Sequence, residues 1–148
     1  MSGQPKFDRS KLDWRSYQLG VISAFAEVVD NGCKRLALSS PMTREQFDSV
    51  IDDARLIAEE RDLILHVDDD FLKTILFDHE PIRGKTVIHI VAEQATVDEY
   101  TGLKEKKRRH QEAGTLTDDV EHEIAWGLGR LLSYDDESIK GLLRKRGH

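Results

Sequence analysis

Residues 34–70, KRLALSSPMTREQFDSVIDDARLIAEERDLILHVDDD, contain two short apolar runs separated by a helical pattern. The first run, residues 36–38, leads into two serines and a proline, and the second, residues 63–67, leads into three aspartates. A strand, a helix and a second strand in this order predict a βαβ crossover with two parallel strands in one sheet. We therefore expect the carboxyl ends of both strands to lie at the same edge of the sheet.

The helical pattern between these strands is the clearest in the chain. Thr43, followed three residues later by Gln46, has the form of a capping box, which marks a helix start. Apolar residues then recur at three- and four-residue spacing, which predicts one face of an amphipathic helix packed on the sheet. These apolar residues are Phe47, Val50, Ile51, Ala54, Ile57 and Ala58.

Three further helices are predicted from capping residues and apolar spacing. Asp13 is the expected N-cap of a helix from Trp14, and Thr117 and Asp135 open the last two helices. Residues 1–13 are polar and lack a helical stripe, which predicts a flexible N-terminal arm.

One more helix is predicted over residues 97–113. Thr96 with Glu99 has the form of a second capping box, and Gly114 is the expected end of the helix. The second half of this helix is almost wholly charged. It must therefore project into solvent or contact a partner.

The remaining segments complete the predicted sheet. Residues 86–92 form a third apolar strand, and residues 71–77 are better described as extended than as a short helix. The predicted fold class is α/β: a short, mostly parallel sheet of three or four strands, flanking helices and a C-terminal helical subdomain. Residues 14–148 are expected to form a single domain, with a sheet-containing body over 14–95 and a helical part over 96–148.

Composition limits the classes of function. The 148 residues carry a formal net charge of −6 and a single cysteine, so an internal disulfide is excluded. No apolar run has the length of a membrane span, and the expected location is the cytoplasm. The acidic excess lies in residues 1–103, which argues against extended nucleic-acid binding.

Polar side chains follow each predicted strand, where open parallel sheets bind their ligands. They are Ser39, Ser40 and Thr43 after the first strand, Asp68 and Asp70 after the second, and Glu93 after the third. The helix start at Thr43 favours an anion, and carboxylates beside a phosphate can hold Mg²⁺. Three consecutive aspartates are also typical of a solvated turn, so the metal and any cofactor stay open.

Two histidines on the predicted strands are candidates for acid/base chemistry. His66 shares a strand face with Asp68, and His89 shares one with Glu93. On adjacent strands, a carboxylate beside an imidazole can orient it for proton transfer. The commoner case is a buried strand histidine that is simply hydrogen-bonded.

The charged helix provides the candidate partner-binding residues Lys104, Lys107, Arg108 and His110. Since the core pattern is clear and the catalytic inventory is poor, the favoured function is a non-catalytic protein that self-associates or binds a protein partner. The first alternative is a small-molecule or phosphate-ligand enzyme that uses the strand-end residues. The second is weak nucleic-acid binding through helix 97–113, whose run of basic residues could contact phosphate.

Overall fold

A computed structural model describes residues 3–148 of the chain. Within these residues the protein is helix-rich, with five α-helices around a small antiparallel sheet of three strands. In chain order the elements are a 3₁₀ turn (Arg9–Lys11), α1 (Trp14–Asp30), β1 (Leu36–Leu38), α2 (Arg44–Glu59), β2 (Ile64–Asp68), β3 (Val87–Val91), α3 (Gln94–Ala113), α4 (Asp118–Leu131) and α5 (Asp136–Lys145).

The sheet has the strand order β1-β3-β2, and the predicted mostly parallel sheet is wrong. β3 is antiparallel to both neighbours, with His89 opposite Leu38 of β1 and opposite His66 of β2. β1 and β2 do run in the same direction, as the crossover through α2 requires, but β3 lies between them. The carboxyl ends of β1 and β2 therefore lie together at one end of the strands, whereas the carboxyl end of β3 lies at the opposite end.

Helices cover both faces of the sheet, because successive strand side chains point to opposite faces. On one face Ala37, Ile88 and Ile90 pack with residues of α1 and α2. On the other face Val87 and Val91 share a core with residues of α3, α4 and α5. The C-terminal helices over 96–148 thus form a layer packed on the sheet.

Four of the predicted helix starts are confirmed by side-chain caps. The capping side chains accept from backbone N–H groups: Asp13 from Ser16, Thr43 from Gln46, Thr117 from Val120 and Asp135 from Ser138. The predicted capping box at Thr96 is wrong, because α3 already begins at Gln94 and Thr96 is buried in its first turn. Gly114 ends α3 with a φ of 67°, as predicted.

Residues 71–77 form neither a strand nor a helix. Phe71, Leu72 and Leu76 are nevertheless buried in the core beneath α3, α4 and α5. The extended segment predicted here forms no strand of the sheet, and the backbone N–H of Leu72 donates instead to the Tyr100 hydroxyl (2.8 Å). This segment begins the long connection that returns the chain to the centre of the sheet.

Two expectations about the chain as a whole concern its ends and its hydropathy. Residues 1 and 2 of the predicted arm lie outside the described residues, and the rest of the arm includes the 3₁₀ turn. Over residues 3–148, no helix combines the length and the apolar character that crossing a bilayer requires.

Candidate functional site

A buried carboxylate at the end of β2 joins the sheet to α3. Asp68 is 3% exposed. Its Oδ2 accepts from Nε2 of His89 (3.0 Å) on β3 and from the hydroxyl of Tyr100 (2.5 Å) on α3. Its Oδ1 accepts from Nζ of Lys104 (2.9 Å), one helical turn after Tyr100. These contacts place α3 in a fixed position over β2 and β3.

The protonation states in this cluster follow from its geometry. Burial raises the pKa of Asp68, but hydrogen bonds from His89, Tyr100 and Lys104 outweigh burial and lower the pKa below its ordinary value. Burial and the Asp68 carboxylate raise the pKa of Tyr100, so the phenol keeps its proton. Burial lowers the pKa of His89 against the opposing effect of Asp68. At neutral pH an ionised Asp68 thus accepts from a neutral imidazole and a neutral phenol.

The cluster contains a carboxylate beside an imidazole, and most of it is held away from solvent. The rings of His89 and Tyr100 are fully buried, and Lys104, 31% exposed at its side chain, is the donor that reaches the surface. Nδ1 of His89 is buried without a hydrogen-bond partner among the described residues. The contacts of the cluster hold α3 on the sheet, and an acid or base at His89 needs a route by which a substrate reaches it.

The other strand-end hydroxyls are engaged within the fold. Ser39 Oγ accepts from the backbone of Ile88 (2.9 Å) and donates to the Ser40 carbonyl (3.1 Å). The backbone of Ser40 is bonded in turn to the Gln18 side chain. Thr43 is occupied by its capping box at the start of α2.

The structure brings together only part of the predicted strand-end set. The rings of His66 and His89 lie edge to face, 5.2 Å apart, and Asp68 is beside them. Asp70 is exposed at the same edge of the sheet. Glu93 lies at the opposite end of the strands, because β3 is antiparallel to β2. It therefore cannot lie beside Asp68 and Asp70. Over residues 3–148, no three or more His, Cys, Asp or Glu side chains are grouped to hold a metal ion.

The candidate partner-binding residues of α3 all have contacts within the chain. Lys104 bonds to Asp68, Lys107 to the Lys73 carbonyl, Arg108 to Glu105 and Glu112, and His110 to the Thr115 hydroxyl. Burial lowers the pKa of Lys107. Lys104, Lys107 and Arg108 line one wall of an open cleft of about 470 Å³, with Lys73 and His79 opposite. Lys104, Lys107 and Arg108 each have a carboxylate within ion-pair distance inside the chain.

The outer edge of β2 has backbone groups that no neighbouring strand uses. The N–H of Ser39 donates to the Ile88 carbonyl (2.9 Å), so Ile88 directs its backbone groups toward β1. Since these groups alternate in an antiparallel ladder, His89 directs its own toward His66. The N–H and C=O of Leu65 and Val67 must then point away from β3, and they have no hydrogen-bond partner among the described residues.

The two outer strands differ in their solvent exposure. Every residue from Ile64 to Val67 on β2 is partly exposed, whereas Leu36 and Ala37 on β1 are 0% exposed. Residues 63–67 contain no lysine, arginine or carboxylate. β2 is therefore an uncharged, accessible sheet edge, whereas β1 is buried at Leu36 and Ala37 and partly exposed at Leu38.

Sequence reasoning identified Asp68, His66 and His89 but missed Tyr100 and the free edge of β2. Tyr100 and Lys104 are spaced to share a helix face, yet nothing in the sequence indicates that this face meets β2. The free edge depends on which strands are neighbours. Comparisons of the chain with protein-family models, curated proteins and solved structures find no match.

Proposed function

We propose that this protein is a non-catalytic association module that binds an extended strand at the free edge of β2. The observation that carries the proposal is the outward direction of the Leu65 and Val67 backbone groups on a partly exposed strand. Adding a strand to such an edge satisfies these groups through main-chain hydrogen bonds, while alternate side chains give specificity.

The character of the edge supports this proposal. Proteins that avoid pairing at an outer strand usually place lysine, proline or a bulge there, or cover the strand. Residues 63–67 have no lysine or proline, and their pairing with β3 runs in continuous register. This edge is therefore a better contact surface than the charged half of α3, whose side chains bond within the chain. We propose the cytoplasm as the compartment, which suits the single cysteine of the chain.

Amide hydrogen exchange at single residues tests strand addition. The probe is a synthetic peptide with the sequence of residues 62–69, added to dilute protein. We expect the exchange of the Leu65 and Val67 amides to slow by at least about tenfold, because each becomes a donor in a new ladder. The amides of Ile64 and His66 already face β3 and serve as the internal control.

A second peptide with proline in place of Val67 is the matched control, because proline has no N–H to donate. We expect it to protect Leu65 and Val67 less than the parent peptide. The Leu65 and Val67 amides could instead be protected to the same extent at every protein dilution and at saturating peptide. That result would show that the edge is already covered, and it would overturn the proposal.

A further inference from the structure

We propose that the strand received at this edge is β2 of a second copy of the chain, running antiparallel about a two-fold axis at His66. This inference rests on the proposed function and names its partner. The resulting dimer has one continuous sheet in the order β1-β3-β2-β2-β3-β1, in which β2 is no longer an outer strand.

The register follows from which backbone groups are free. The N–H of Leu63 already donates to the carbonyl of Ala58 (2.9 Å), so a register that needs this donor is disfavoured. Centring the pair on His66 places Leu65 opposite the partner's Val67. Both residues direct their backbone groups outward, so each such pair exchanges both N–H···O bonds. The two-fold axis repeats the pair, and every free group of Leu65 and Val67 is satisfied.

The side chains favour the same register. Leu65 and Val67 lie on the α1 and α2 face of the sheet, where they are partly buried at the margin of the core. In the dimer these two residues meet their counterparts from the partner across the axis, and their remaining apolar surface is removed from water. On the other face His66 lies opposite the partner's His66.

The charge distribution is compatible with pairing at this edge of the protein. A net charge of −6 repels a second copy at most orientations. The strand itself has no carboxylate before Asp68, and the Asp68 charge is held inward by His89, Tyr100 and Lys104. Register centred on His66 places the buried Asp68 opposite the partner's Ile64 and not opposite another carboxylate.

Cysteine cross-linking tests the axis directly. In a non-hydrogen-bonded antiparallel pair the opposed Cα atoms are about 4.5 Å apart, which lies within the range of about 4.4–6.8 Å that a disulfide spans. We expect H66C, in a C33S background, to form a covalent dimer on mild oxidation. The rate should exceed that of L56C in the same background by at least about tenfold, because pairing raises the effective concentration of the thiols.

The control position, Leu56, is 57% exposed on α2 and lies off the sheet. Sedimentation of the unmodified chain provides a measurement that needs no variant: the mass should rise from one to two chains with concentration. L65K should abolish this rise and L56K should not. Cross-linking of H66C no faster than L56C, or a mass that stays at one chain at the highest concentration, would overturn the second-copy proposal. Peptide protection of Leu65 and Val67 with a strictly monomeric chain would leave strand addition standing and exclude self-pairing.

Discussion

The two outer strands of the sheet have the same neighbour, β3, yet the contacts around them differ. The end of β1 is closed by Gln18, whose buried side chain bonds to both the N–H and the C=O of Ser40. Before β1, the backbone N–H of Arg35 donates to the Ser133 hydroxyl (2.9 Å). Before β2, the backbone N–H of Leu63 donates to the Ala58 carbonyl (2.9 Å), but Leu65 and Val67 have no such contact among the described residues, and β2 is fixed at its end through Asp68.

This difference shows that backbone groups beyond the end of a strand can be satisfied without another strand. A single glutamine on α1 replaces the neighbour that Ser40 lacks, because an amide side chain, like a strand residue, can both donate and accept. β2 has five residues and β1 has three, so the longer strand is the one that stays open. Three changes test how differently the two strands are held.

The largest effect is expected from D68A, which removes the anchor of the open strand. The substitution leaves the buried Nε2–H of His89 and the hydroxyl of Tyr100 without their acceptor. We expect a loss of about 3–5 kcal/mol in the free energy of unfolding, as for other buried ion pairs that lose one partner. Urea denaturation measures it. D70A, at an exposed neighbouring carboxylate, is the matched control and should stay within about 0.5 kcal/mol of the parent.

If D68A and D70A cost the same, Asp68 is not the anchor of β2. A variant too unstable to fold is still informative when compared with D68N, whose amide oxygen retains an acceptor for His89 or Tyr100. We expect D68N to lie between D68A and the parent.

The closed edge should respond less strongly. Q18A removes both partners of the Ser40 backbone, and each unpaired group costs about 1–3 kcal/mol when it stays buried. Because Ser40 is partly exposed and water can replace one partner, we expect a loss of about 2 kcal/mol and faster exchange of the Ser40 amide. Q94A, at an exposed glutamine, is the control. Unchanged exchange at Ser40 in Q18A would show that Gln18 does not close this edge.

The smallest and most gradual effect is expected from pH. The pKa of His89 is lowered by burial, so the folded state disfavours its protonation. The stability that follows is complete above the unfolded-state pKa of about 6.5 and is lost as pH falls toward the lowered folded-state pKa. The lowered pKa of Asp68 adds a second decline, which begins near the unfolded-state pKa of about 4.

Thermal unfolding between pH 8 and pH 3 measures both declines. H89Q keeps a donor for Asp68 but does not titrate, so it should remove the first decline and leave the second. A parent chain whose stability rises as pH falls from 7.5 to 5 would contradict the sign of the His89 effect.

Local features of the sequence were enough to predict the helices. Asp13, Thr43, Thr117 and Asp135 cap their helices as expected because each contact spans only three residues. The failure at Thr96 has the same origin, since the pattern was present but α3 begins two residues earlier.

The positions of the strands in the sequence were predicted, but the order of the strands in the sheet was not. An apolar run such as residues 87–91 indicates a strand covered on both faces, and it has the same form in a central antiparallel strand as in a parallel one. Strand order depends on where the connection from residue 69 to residue 86 returns the chain, which is not a local property. The association of Asp68 with Tyr100 and the exposure of β2 both depend on that order, so neither could be predicted.

The central position of β3 also delays formation of the sheet while the chain is being synthesised. β1 and β2 pair only with β3 and never with each other. A ribosome releasing the chain from its amino end therefore supplies two strands that must wait, without a ladder, until residues 87–91 emerge. During that interval α1 and α2 can form, since their bonds are local, while the apolar run 63–67 is exposed to neighbouring nascent chains.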